Sequence, residues 1–162
     1  MNDYSDILTD IRKIVRSVNL ESKRIQKDFG ISIPQLLCLS HLSQCEEFQS
    51  THKDLTRILH LNSSTVTGIV NRLEKKGLIA RLPKKDDKRV TNIALTSAGY
   101  EMLEKTPDLL HQKLLARITA LPEEQVHSIK AALQLIITAL GVENLDASPM
   151  LTIEDNITRD AT

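Results

Sequence analysis

The most constraining feature of the sequence is a pair of short helical segments, split by a tight turn and followed by two β-prone runs. Residues of the type that begin helices stand at Thr51 and Asn62, and Gly77 is of the type that ends them. The second segment has one apolar face at helical spacing, formed by Val66, Ile69, Val70 and Leu73. This order predicts a helix-turn-helix followed by a β-hairpin, the arrangement of a winged helix.

The opposite face of the second segment carries short polar side chains where a surface helix would usually carry long charged ones. Its members are Ser63, Ser64, Thr65, Thr67, Gly68, Asn71 and Arg72. Small residues allow a helix to approach another surface closely, and a helix-turn-helix places such a helix in the major groove of DNA. We therefore expect these residues to contact double-stranded DNA.

The sequence PKKDDK separates the two β-prone runs and predicts the tip of the hairpin. Three lysines there are suited to phosphate contacts: Lys84, Lys85 and Lys88. Arg89 could enter the minor groove, and Asp87 could hold its guanidinium in a fixed direction before DNA arrives. The alternative is that Asp86 and Asp87 only form the turn. Both roles are compatible if Asp86 serves the turn and Asp87 serves the arginine.

The formal net charge of zero conceals an uneven distribution. Residues 51–91 contain ten Lys or Arg and four Asp or Glu, an excess of six positive charges, whereas residues 1–50 and 92–162 have excesses of one and five negative charges. A phosphate-binding surface needs local positive potential, so this pattern favours nucleic acid as the partner. A solvated basic face is the alternative.

Long helices with apolar stripes flank the winged helix, and the fold class is mainly α with a small β-hairpin wing. We predict a helical dimerisation region over residues 1–30 and 97–141, a DNA-binding lobe over 31–96, and an acidic, partly ordered tail over 142–162. A long helix begins at Thr96 and is interrupted near Pro107, and a last helix begins at Pro122. The lobe is too small to cover both striped regions, which predicts a homodimer.

Three motifs in this order and spacing resemble the MarR family of winged-helix transcription regulators. They are NRLEKKGLIAR at residues 71–81, D-x-R at 87–89, and L-T-x-x-G at 95–99. The resemblance implies a homodimer, a palindromic operator, and a ligand cleft between the dimerisation region and the DNA-binding lobe. It assigns the wing roles to Asp87 and Arg89, and implies a regulator, most simply a repressor released by a signal.

The N-terminal sequence and the LDASPM stretch at residues 145–150 are also similar to a subgroup that represses compatible-solute synthesis and uptake. That similarity implies osmotic stress as the signal, either through an effector such as glycine betaine or ectoine or through ionic strength itself. A quaternary ammonium group prefers aromatic faces. The effector candidates are therefore Phe29, Phe48 and Tyr100, although so few rings make a full cage within one subunit difficult.

Two cysteines leave a second kind of signal open. Cys38, His41 and Cys45 fall on one side of a predicted helix, which suits either a thiol sensor or buried structural cysteines. A fourth ligand is missing nearby, so we expect no metal.

No sequence motif of catalysis or cofactor binding appears, so we expect neither an enzyme nor a cofactor. The N-terminus lacks the pattern of a secretory signal and no run is long enough to span a membrane, which predicts a cytoplasmic protein. A winged-helix adaptor that binds another protein is the alternative function.

Overall fold

The computed structural model describes residues 3–83 and 91–145. These residues fall into two compact units, the first ending at Pro107 and the second beginning at Asp108. Most of the acidic tail, residues 146–162, lies outside the described residues, as does the tip of the wing, residues 84–90. The division into dimerisation region, lobe and tail stays a prediction.

The first unit contains five helices and three short strands among its described residues. In chain order they are α1 (Asp3–Phe29), α2 (Ile33–Gln44), a 3₁₀ turn (Glu46–Phe48), β1 (Gln49–Thr51), α3 (His52–Leu59), α4 (Ser63–Lys75), β2 (Ile79–Pro83), β3 (Thr91–Leu95) and α5 (Ser97–Lys105). The second unit contains α6 (Leu110–Ile118) and α7 (Glu123–Leu140). The predicted fold class, mainly α with a small β wing, is confirmed.

The helix starts follow from side chains that cap the free backbone N–H groups. The Thr51 hydroxyl accepts a hydrogen bond from the Asp54 amide at 3.1 Å, and Asn62 Oδ1 accepts one from the Thr65 amide at 2.8 Å. Gly77 has a φ of +71°, which glycine tolerates without a steric penalty, and it ends the turn that follows α4. These caps fix where α3 and α4 begin and therefore fix the angle of the helix-turn-helix.

The sheet has three strands in the order β1-β3-β2, all antiparallel. The two-stranded hairpin was predicted, but β1 was not. Ser50 pairs with Ile93, and the Asn92 side chain donates to Gln49 Oε1 at 3.2 Å. The sequence QST has no alternating apolar pattern, so β1 is a strand because of its partner rather than its own residues.

The core of the first unit lies where α1, α2, α3 and α4 meet the sheet. The predicted apolar face of α4 is fully buried: Val66, Ile69, Val70 and Leu73 each have 0% exposure. Other residues without exposure are Ile25, Cys38, Leu39, Leu42 and Leu55. Burying such a face contributes about 1.5 to 3 kcal/mol for each large aliphatic side chain, so it orients α4 firmly.

The L-T-x-x-G motif at residues 95–99 packs α5 tightly against the start of the wing. Thr96 Oγ1 donates to the Gly77 carbonyl at 2.7 Å and accepts from the Gly99 amide at 3.1 Å. A Cβ atom at Gly99 would lie 2.2 Å from the Leu78 carbonyl oxygen. Only glycine therefore fits at this position without a backbone shift.

We expect Gly99→Ala to lower the free energy of unfolding by about 1 to 3 kcal/mol, because its methyl group meets backbone that cannot move aside cheaply. Gly68→Ala is the matched control, since a Cβ there would meet only the Arg72 side chain at 3.5 Å. Alanine at a helix interior should stabilise by up to about 1 kcal/mol. Urea unfolding of both variants checks the pair, and equal effects would contradict the packing described for Gly99.

The second unit, taken by itself, leaves many apolar side chains exposed. They include Leu114, Leu115, Leu133, Leu135 and Leu140. The predicted apolar stripe of α7 is present, but within a single chain it is not enclosed, because Leu133 is 50% exposed and Leu140 is 63% exposed. An exposed apolar surface that extends along a helix in this way usually marks an interface with another molecule.

Candidate nucleic-acid interface

The face of α4 opposite the core presents short polar side chains, as the sequence predicted, with one exception. Ser63, Ser64, Thr67 and Asn71 are exposed, and Gly68 and Arg72 are half-buried. The placement of Thr65 on this face was wrong, because its side chain is only 8% exposed. Thr65 lies about 40° around the helix from Ile69, on the packed side.

The exposed face is organised around the N-terminus of α4. Asn62 Oδ1 accepts hydrogen bonds from both the Thr65 amide and the Ser64 hydroxyl, each at 2.8 Å. The remaining N–H groups of the first turn, together with the helix dipole, make this end attractive to anions such as phosphate. The polar face and the positive helix end therefore lie side by side.

Thr67 is held by two hydrogen bonds in the middle of the face. Its hydroxyl donates to the Ser63 carbonyl at 2.9 Å, and its Oγ1 lies 3.0 Å from Nε2 of His52, the first residue of α3. No pattern in the sequence predicted that His52 would contact Thr67. It lies fifteen positions from Thr67, and no periodicity within either helix links the two.

Arg81, at the centre of β2, ties the wing to α4. Its guanidinium donates to Glu74 and to the Asn71 Oδ1 atom, both on α4. These contacts fix the orientation of the Asn71 side chain and the position of the hairpin relative to α4. The motif at residues 71–81 contains all three residues, but their spacing alone does not reveal the contact.

Arg72 folds back along α4 over Gly68. A Cβ at Gly68 would lie 3.5 Å from both terminal nitrogens of the Arg72 guanidinium. That distance is an ordinary van der Waals contact, so the guanidinium lies close against the surface of the helix at Gly68. This brings a positive charge next to the polar face of α4.

The predicted wing contacts fall outside the described residues. They are Lys84, Lys85, Asp87, Lys88 and Arg89, all between β2 and β3. The strands on either side are described, and Pro83 pairs with Thr91 at the end of the hairpin that adjoins residues 84–90. Their roles in DNA binding stay predictions.

Two of the three aromatic effector candidates come together. The rings of Phe48 and Tyr100 have centroids 6.3 Å apart and planes at 78°, an edge-to-face pair, and both are about half exposed. They line an open cleft of about 430 Å³ that also contains Glu101. Phe29, the last residue of α1, makes no ring contact within the part of the chain that the structure describes.

The two cysteines have different environments. Cys38 is fully buried in α2, and burial raises the pKa of its thiol to about 12, so it remains protonated at neutral pH. Cys45 is half-buried, and its Sγ lies 3.3 Å from His41 Nε2. Seven positions along a helix separate the two Cα atoms by about 10 Å, beyond the span of a disulfide.

The sequence predicted neither a metal site nor a membrane-spanning helix, and the structure can be searched for both over residues 3–83 and 91–145. Within that part of the chain, no group of three His, Cys, Asp or Glu side chains could hold a metal ion. Over the same residues, no helix combines the length and apolar character needed to cross a bilayer.

Comparison with known proteins agrees with this geometry. Residues 31–91 match the MarR family model. The organic hydroperoxide resistance transcriptional regulator of Bacillus subtilis is 29% identical over 129 residues, covering 80% of this chain and 85% of the relative. The multiple antibiotic resistance protein MarR of Escherichia coli is 28% identical over 133 residues, covering 74% of this chain and 90% of the relative.

A solved structure extends the likeness to the fold. The Staphylococcus aureus MepR–DNA complex superposes with a TM-score of 0.62 at 24% identity, over 86% of this chain and 99% of that chain. The capped α3–α4 pair followed by the wing defines a winged-helix, DNA-binding transcription regulator. Residues 31–91 belong to the MarR family, whose members are transcription regulators and not enzymes.

Proposed function

We propose that the protein acts as a homodimeric repressor that binds a palindromic operator and is released by a small-molecule or osmotic signal. The observation that carries the proposal is the exposed polar face of α4, held in direction by the buried apolar face behind it. Ser63, Ser64, Thr67, Asn71 and Arg72 are the contacts we assign to the major groove, and Gly68 permits close approach. Thr65 is left out because it is buried.

Exposed apolar residues on the long helices support the homodimer. On α1, Ile7, Leu8, Ile14 and Val15 are about half exposed or more, as are Leu133 and Leu140 on α7. A second copy of the chain would cover such faces and remove them from water. Two-fold symmetry would place two copies of α4 about 34 to 36 Å apart, one turn of DNA.

The wing is assigned the neighbouring minor groove. Residues 51–91 carry an excess of six positive charges, and four of the basic residues are Lys84, Lys85, Lys88 and Arg89. Neutralising several phosphates per subunit makes affinity fall steeply with salt. Asp87 is assigned the role of orienting Arg89, as an acidic partner reduces the entropy that the arginine loses on docking.

We expect Arg89→Ala to weaken operator binding by more than about tenfold with no change in melting temperature, because one oriented, charged contact is lost. Asp87→Asn should cause a smaller loss, since the arginine remains but is no longer directed. Fluorescence anisotropy and thermal unfolding measure the two quantities. If Arg89→Ala lowered the melting temperature along with the affinity, the assignment of Arg89 to a DNA contact would fail. Unchanged affinity for Asp87→Asn would leave Asp87 as a turn residue.

The signal we assign is osmotic, acting on compatible-solute synthesis and uptake. The cleft of Phe48, Tyr100 and Glu101 supports a cationic or zwitterionic effector such as glycine betaine or ectoine, because two rings and a carboxylate favour an organic cation. The simpler mechanism is that salt screens the attraction between the basic side chains and the DNA phosphates, which needs no effector pocket. An osmolyte effect at constant ionic strength distinguishes the two.

A thiol signal is the second candidate, and the contact between Cys45 and His41 favours it. Cys38 has no part in it, because its buried thiol does not ionise at neutral pH. Release from DNA by a peroxide, abolished in Cys45→Ser, would establish this signal in place of the osmotic one.

A further inference from the structure

The hydrogen bonds at Thr67 determine which part of its side chain can face DNA. A hydroxyl group has one proton, and the Thr67 hydroxyl donates it to the Ser63 carbonyl at 2.9 Å. His52 Nε2, at 3.0 Å, must therefore be the donor to Thr67 Oγ1. The tautomer with the proton on Nε2 follows from this count.

The hydroxyl of Thr67 is thus turned toward the preceding turn of α4 and toward α3. Thr67 remains exposed, and the part of its side chain left to point outward is the γ-methyl group. A threonine methyl in the major groove contacts the 5-methyl group of thymine, which the other three bases lack. The neighbours Ser63, Ser64 and Asn71 on this face offer only polar groups.

Resting on the proposed operator binding, we propose that Thr67 selects thymine at one position of each half-site and that His52 is the positioning residue that makes this possible. Without the bond from α3, only the bond to the Ser63 carbonyl opposes an outward rotation of the hydroxyl, which would present a polar group in place of the methyl. His52 acts through Thr67, and its side chain reaches α4 from the first residue of α3.

The test uses a duplex that the wild-type protein selects from a random pool, with symmetry-related thymines replaced in turn by deoxyuridine. This replacement removes only the 5-methyl group. For wild type, one thymine pair should give a loss of affinity of about threefold to fivefold per half-site, the effect of one buried methyl. In Thr67→Ser, which keeps the hydroxyl but has no methyl, that loss should disappear.

Variants at His52 test the positioning role. His52→Ala should reduce the ratio of thymine to deoxyuridine affinity at the same position, with an unchanged melting temperature. His52→Gln should restore the ratio, because its amide nitrogen can donate to Thr67 Oγ1 as imidazole Nε2 does. A purely structural role for His52 would change stability and would leave the ratio unaltered.

The proposal is overturned if no thymine pair in the selected duplex matters for wild type, if Thr67→Ser discriminates as wild type does, or if His52→Ala leaves the ratio unchanged. Failure of the underlying DNA-binding function has a different signature, since wild-type protein would then select no sequence from the pool.

Discussion

Leu133→Asp should prevent the proposed homodimer from forming and weaken operator binding by more than about a hundredfold. Leu133 lies on the apolar stripe of α7 and is 50% exposed in the single chain, and in the proposed homodimer a partner copy would bury it. A carboxylate placed in that interface would lose its hydration without gaining a partner. A monomer reaches one half-site only and loses the avidity of the pair, about 10² to 10⁴.

The matched control is Ala131→Asp, which introduces the same charge on the same helix. Ala131 is exposed and lies on the side of α7 away from the stripe, so the dimer and the affinity should persist. Sedimentation velocity gives the oligomeric state and anisotropy gives the affinity. A Leu133→Asp variant that remains dimeric would contradict the role of α7 in the interface, whatever its affinity.

Ser64→Glu should weaken operator binding by more than about a hundredfold while leaving the fold as stable as before or slightly more so. Ser64 is exposed in the first turn of α4, where a carboxylate interacts favourably with the helix dipole by about 0.3 to 1 kcal/mol. The same carboxylate would face DNA phosphates, and like charges at an interface cost several kcal/mol. Affinity and stability should therefore change in opposite directions.

Ser128→Glu is the control for this change, because Ser128 is exposed on α7 and lies on the side of that helix away from the stripe. It should bind DNA nearly as wild type does. Thermal unfolding and anisotropy measure both variants. Wild-type affinity in Ser64→Glu would show that the N-terminus of α4 does not approach the phosphates.

The sequence predicted those parts of the site that depend on local patterns. The buried stripe of α4 follows from helical spacing, and the starts of α3 and α4 follow from Thr51 and Asn62 as capping residues. Thr65 shows the limit of that approach. It is polar, but its position around the helix places it with the core, and burial overrides its polarity.

Contacts between elements distant in sequence could not be predicted in the same way. The bond from His52 to Thr67 joins two helices whose separate patterns do not identify each other. The bridge from Arg81 to Asn71 and Glu74 depends on how the hairpin folds back on α4. The strand β1 exists only through its pairing with β3. All three depend on tertiary arrangement, which periodicity within one element does not encode.

The central claim, that the polar face of α4 reads an operator, is tested most directly by titrating the protein against DNA from upstream of its own gene. The titration is made at several salt concentrations, with a scrambled duplex of equal length as competitor, and with glycine betaine or ectoine at constant ionic strength. We predict tight, sequence-selective binding whose affinity falls steeply with salt. Weak binding that does not distinguish the operator from the scrambled duplex, nor from duplexes selected from a random pool, would contradict the claim.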